Sequence, residues 1–191
     1  MKSPIPKPKI PSRNTFTKRS RFTRQCIGES VISLMQTKNF EDITISDIVR
    51  RAGVSRMTFY HYFHTKSEVL NDYIHELIGQ YVEECSRTLG IEGFCDRAHI
   101  RHAFLFFDKH SEAFITLANA NFHGLMIHAI NEYLLKLIAP IYPRSVYELY
   151  YFGGALLNVF LIWEMTGKKE SADEMVDIIM HCCSITPNKA D

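Results

Sequence analysis

Overall charge is the first thing this chain lacks. Its 22 basic residues nearly cancel 21 acidic ones, leaving a formal net charge of +1, so bulk charge alone does not mark a nucleic-acid binder. A disulfide framework is missing too. The five cysteines (Cys26, Cys85, Cys95, Cys182 and Cys183) are odd in number and irregular in spacing, which reads as reduced cytosolic thiols. The greasiest run, Ala155 to Trp163, is interrupted by Asn158 and is too short to span a bilayer. The N-terminus is rich in Lys and Pro and has no apolar core of a secretory signal. A cytoplasmic protein with no membrane association is expected. No alternating strand pattern and no internal repeat occur, which leaves an all-α fold. No nucleophile elbow, Gly-rich phosphate loop, His-Glu-x-x-His or catalytic triad is present; an enzyme is not expected, and no cofactor is implied.

Metal chemistry is also set aside. Asp96, His99 and His102 are spaced by three residues, and such a series drifts around a helix by about 60° per step, too much for one ion. His181, Cys182 and Cys183 are adjacent, and neighbouring side chains on a helix point apart. No metal site is expected.

What the chain has is an uneven distribution of charge. Eight basic residues (Lys2, Lys7, Lys9, Arg13, Lys18, Arg19, Arg21 and Arg24) precede the first acid, Glu29, leaving fourteen basic against twenty-one acidic residues in the rest. A basic front on an acidic body suits a protein that presents one end to phosphates. Residues 1–14 hold Pro4, Pro6, Pro8 and Pro11 among basic residues and are expected to be a disordered arm, either a solvated tail or an arm that adds phosphate or minor-groove contacts.

The most informative stretch runs from Thr44 to Leu70. Thr44 and Asp47 form a Thr-x-x-Asp helix start. Ile45, Ile48 and Val49 make one apolar face. Gly53 follows Ala52 and suits the left-handed residue that ends a helix. Ser55 caps a second, short helix on which Phe59 and Phe63 face inward over Val54, while Arg56 with Tyr60 and Met57 with His61 face out. Thr65 and Glu68 then open a third helix. Two helices about a tight Gly turn form a helix-turn-helix, whose second helix fits a DNA major groove.

These residues carry a family resemblance. Thr44-Ile45, Ile48, Ala52-Gly53-Val54-Ser55, Thr58-Phe59-Tyr60, Tyr62-Phe63 and Lys66, with Ile27, Val31 and Phe40 on the supporting segment, resemble the N-terminal domain of the tetracycline-repressor (TetR) family of bacterial transcription regulators. Met57 departs from the small residues frequent there. Tyr150-Tyr151-Phe152-Gly153-Gly154 through Trp163, then Ser171 to Met180, is similar to regulators of the dihydroxyacetone-kinase-activator kind. The resemblance implies a homodimer on a palindromic double-stranded DNA operator, usually as a repressor. It implies DNA contacts from Thr44, Ser46, Ser55, Thr58, Tyr60, His61 and Lys66. Arg56 is the residue of choice for guanine edges, and Met57 for thymine methyls.

A helix-turn-helix domain is thus expected over residues 15–66, and a helical ligand-binding and dimerisation domain over 67–191. Helical spacing predicts segments near 66–89, 96–109, 111–119, 122–138, 144–166 and 172–184, with Pro140 and Pro143 enforcing a break. A bundle rich in Phe and Met suits an apolar cavity or plain core. His102, Phe106, Asn119, Phe122, His123 and Met126 are the expected ligand residues. The last two helices are expected to form the dimer seam through Leu156, Val159, Phe160, Trp163, Met175 and Ile179, or in part to be intramolecular core. An adaptor whose bundle docks a protein partner, in place of a small effector, is the alternative.

Overall fold

The computed structural model describes residues 17–90 and 96–184, and among them the chain is all-α. The expected basic arm at residues 1–14 lies outside the described residues. Helix α1 spans Lys18–Met35, capped by the Thr17 hydroxyl, which accepts from the Ser20 N–H. A 3-10 turn, Phe40–Asp42, leads into α2, Ile45–Ala52. Helix α3 is Arg56–Tyr62 and α4 is Lys66–Thr88. Then come α5 (Arg97–Lys109), α6 (Ser111–Asn119) and α7 (His123–Tyr133). The spacing predicts one helix to residue 138; instead α7 passes into a π-helical turn, Leu134–Ile138. Helices α8 (Val146–Met165) and α9 (Ala172–Ser184) complete the described chain.

Local chemistry places most boundaries. Thr44 and Asp47 form a reciprocal capping box, and Gly53 ends α2 at φ 66°, a left-handed conformation that costs glycine little. Asp96 caps α5 through the His99 N–H at 2.9 Å. Ser171 and Glu174 box the start of α9.

Packing joins these elements through α4. Helix α1 lies on both α2 and α4, and α4 also lies on α5 and α7. Ile27, Val31, Ile48, Phe59, Val69, Leu70 and Ile74 make the fully buried centre of the N-terminal part. Gly28 allows α1 to approach α4: an added Cβ would meet the Tyr73 ring carbon Cδ2 at 2.5 Å. Arg21–Glu76 and Arg24–Asp72 ion pairs tie the same two helices. In the C-terminal part α5 packs on α9, and α8 on α6 and α7, around Phe104, Phe114, Leu117 and Met126, while Leu149 joins Leu134 and Ile138 in a smaller separate cluster.

Helix α8 has 20 residues of mean hydropathy about 1.3, long and apolar enough by length and composition to cross a membrane. The run Ala155 to Trp163 alone suggests otherwise. Its apolarity has a local cause. Leu149, Phe152, Leu157, Phe160, Leu161 and Trp163 are buried in the bundle, while Tyr147, Tyr151, Ile162 and Met165 lie exposed on the other side.

Candidate nucleic-acid interface

Helix α3 has one face sealed and the other open. Phe59 is fully buried and Phe63 nearly so; their rings meet at 6.0 Å. Residues four apart share a helix face, so burying Phe59 and Phe63 turns Arg56, Met57, Tyr60 and His61 to solvent. All four are exposed, Met57 at 84%. The Ser55 hydroxyl accepts from the Thr58 N–H at 2.9 Å and meets the Thr58 hydroxyl at 2.8 Å, so both residues act in capping. Tyr62 is half-buried and packs against the core.

Helix α2 braces this surface. The Arg56 guanidinium donates to the Ser46 hydroxyl at 3.0 Å, which holds a long, entropically costly side chain in place. Thr44 donates to Asp47 through both N–H (3.2 Å) and hydroxyl (2.9 Å). Lys38 reaches the same carboxylate at 3.1 Å and Arg50 at 2.8 Å. The Thr44 backbone donor, with Lys38 and the Thr44 hydroxyl behind it, lowers the Asp47 carboxyl to about 2. Arg50, in the last turn of α2, is the more exposed of the two cations on this carboxylate.

Lys66 is placed differently from the outward residues of α3. Its side chain is about one-fifth exposed. It donates to the backbone oxygens of Phe40 (2.6 Å), Glu41 (2.8 Å) and Ile43 (3.3 Å). A helix N-terminus favours phosphate in general, but here three carbonyls already hold the charge.

The expected C-terminal ligand residues are spread over several places in the bundle. An apolar cavity of about 60 Å³ lies among α4, α5, α6, α7 and α8, lined by Tyr81, Phe104, Phe107, Phe114, Tyr133 and Phe160 among others. None of the six expected ligand residues lines it. Phe106 and Met126 are core. His102 stacks behind Tyr81 at 5.6 Å, and its Nε2 is buried without a partner. Asn119 and Phe122 border a separate, open cleft between the end of α1 and the α6–α7 corner, and His123 is exposed. Burial raises the Tyr81 hydroxyl well above its ordinary range, and Tyr133 likewise, so both stay neutral. The cavity therefore offers an apolar, uncharged wall.

Most of the residues expected at the seam pack inside this chain. Phe160, Trp163, Met175 and Ile179 are buried within one chain; Trp163 Nε1 donates to the Glu170 carbonyl at 2.8 Å. Leu156 and Val159 are half-buried against the same core. The open face holds Tyr147, Tyr151, Ala155, Asn158, Ile162 and Met165 on α8, with Ile178 on α9. Their steps of three and four were present in the sequence, but a helix apolar all round hid which side was free.

A capped α2, a left-handed glycine, and a short α3 with a sealed back and an open polar front together define a helix-turn-helix domain. Residues 32–73 match the model of the family described as bacterial regulatory proteins, tetR family, so the helix-turn-helix part of the chain is of the TetR kind. Over 54 residues it is 37% identical to the dhaKLM operon transcriptional activator DhaS of Lactococcus lactis, covering 28% of this chain and 29% of that protein. Over 45 residues it is 47% identical to the transcriptional regulator EthR of Mycolicibacterium smegmatis, covering 24% and 21%. The chain thus matches less than a third of either relative's length. The likeness of fold reaches further. Lin0861 from Listeria innocua superposes with a TM-score of 0.74 at 17% identity, over 90% of this chain and 94% of that one. Thermus thermophilus FadR, a repressor solved in complex with lauroyl-CoA, gives 0.52 at 22% identity, over 87% and 97%.

Proposed function

We propose that this protein is a homodimeric, sequence-specific DNA-binding regulator of transcription, acting as a repressor, whose operator affinity is switched by a small apolar ligand. The carrying observation is the open face of α3, with Arg56 braced by Ser46 and Met57 presented at its tip. Arginine held against a second side chain is prepared for the two acceptors of a guanine edge, and an exposed methionine suits a thymine methyl. Two such helices fit successive major grooves of a palindrome when a two-fold axis sets them roughly 34–36 Å apart. The free apolar stripe of α8, continued by Ile178, supports that axis: a second copy would bury it, and the same face meets itself in a two-fold pair.

The apolar cavity inside the bundle favours a small-molecule sensor over a protein-docking adaptor. At about 60 Å³ it is under half the ~150 Å³ that holds a benzene ring. A ligand as long as the lauroyl-CoA bound by Thermus thermophilus FadR would have to push the lining rings apart. Such displacement is how a ligand could move α4 and break the spacing of the two α3 helices, with couplings of about 1–3 kcal/mol typical.

The experiment is selection of genomic fragments on the purified protein, followed by sequencing. Enrichment of a palindromic site, lost by Arg56→Ala in a folded dimer, is expected. Retention of every sequence alike, or full binding by Arg56→Ala, overturns the assignment.

A further inference from the structure

The place of Lys66 raises the question of what its charge does. An ammonium has three N–H donors, and three carbonyl oxygens stand within 2.6–3.3 Å of this one. They belong to Phe40 and Glu41 of the 3-10 turn and to Ile43, which ends that turn and precedes Thr44, the cap of α2. The Phe40 carbonyl also accepts from the Ile43 N–H at 3.2 Å, while carbonyls at the end of a helical turn commonly lack internal partners; a cation from α4 draws all three together. The same Nζ stands 4.6 Å over the Phe40 ring, an arrangement that adds cation–π attraction, and the Glu41 carboxylate lies 3.8 Å away.

Phe40 is also touched from the other part of the molecule. The Phe122 ring meets it edge to face at 5.0 Å. Phe122 sits at the corner between α6 and α7, next to Asn121, whose φ is 64°. Phe114 of α6 and Tyr133 of α7 both line the apolar cavity, so two of its walls meet at Phe122. One ring is therefore gripped by the first residue of α4 and by the corner of the C-terminal bundle.

We propose that Lys66 is a positioning residue of the helix-turn-helix and not a phosphate contact, and that Phe40 couples it to the α6–α7 corner through Phe122. Motion of the corner displaces Phe40 and loosens the carbonyls that orient α2, and with it Ser46 and Arg56. That a ligand drives this motion rests on the reading above; the positioning role of Lys66 does not.

Two measurements on the full-length protein decide it. The first is hydrogen exchange of the backbone amides over residues 40–48, which needs no DNA. Lys66→Met and Phe122→Ala should each speed it about tenfold while α8 is unchanged; Phe122→Leu, which keeps bulk but loses the ring edge, should fall between. The second is binding to the selected DNA fragment as a function of salt. Lys66→Met should weaken binding about tenfold with the salt slope unaltered. Lys66→Arg should not rescue, because a planar fork cannot converge on three carbonyls. A phosphate contact behaves oppositely: its loss lowers the log–log slope by about 0.9 per contact, and arginine restores it. That pattern, or exchange over 40–48 unmoved by Phe122→Ala, overturns the proposal.

Discussion

Arg56 shows how much depends on a single hydroxyl. Without the 3.0 Å bond to Ser46 the guanidinium would sample many rotamers, and docking would have to order it. Arg56→Ala should weaken operator binding by about 1–3 kcal/mol and relax the preference at one base pair, measured by gel shift against single-base variants. Ser46→Ala should give a smaller loss at the same base pair. Asp47 makes a prediction about pH. Its carboxyl is lowered in the folded protein to about 2 by the Thr44 N–H, with Lys38 second. A group depressed on folding stabilises above its unfolded value, near 4, and that stabilisation is lost as pH falls through the folded value. The start of α2 should therefore loosen between about pH 4 and pH 2, seen as faster exchange of the Asp47 and Ile48 amides. Asp47→Asn should loosen it at neutral pH and remove this acid step.

Helix α8 carries two faces that composition cannot tell apart. Trp163 is 5% exposed and Ile162, its neighbour, 54%. The two should respond in opposite ways. Trp163→Ala removes a buried indole and should cost about 3–5 kcal/mol of folding stability, read from denaturant unfolding at fixed protein concentration. Ile162→Glu should leave the helical content intact but convert a dimer to a monomer in light scattering. A dimer that survives Ile162→Glu and Tyr151→Glu together would place the interface elsewhere. Gly153 shows how tightly the inner face is fitted. An added Cβ would lie 2.7 Å from Leu134 Cδ1 and 3.1 Å from Ile130 Cγ2, so Gly153→Ala should destabilise by about 1–3 kcal/mol through overpacking.

For the whole molecule, the arrangement links three places: the open face of α3, the Phe40–Phe122 contact and the apolar cavity. Helix α4 runs past all of them, held to α1 by Arg21–Glu76 and Arg24–Asp72 and to the cavity by Ile78 and Tyr81. A cavity-filling substitution isolates its role. Ala103→Leu should keep fold and operator binding. It should also abolish the rise in melting temperature expected in the wild-type protein from a fatty acyl ligand that parts the lining rings. An equal shift in both proteins would place the binding elsewhere.

The α2–α3 unit was legible from the chain alone, because its signals are local. A cap, a left-handed glycine, apolar residues three and four apart and a second cap each act within about one helical turn, and each appears where the residues put it. The C-terminal helices were legible as helices for the same reason. Their partners were not. Periodicity says that Phe104, Phe106, Trp163 and Ile162 lie on helices, but not which flank meets a neighbour, which lines a void and which is left open. The reach of Lys66 back to carbonyls 23 to 26 residues earlier, and the meeting of Phe40 with Phe122, were equally beyond it. Those outcomes follow from how helices cross, which depends on side chains far apart in sequence fitting one another at close-packed density.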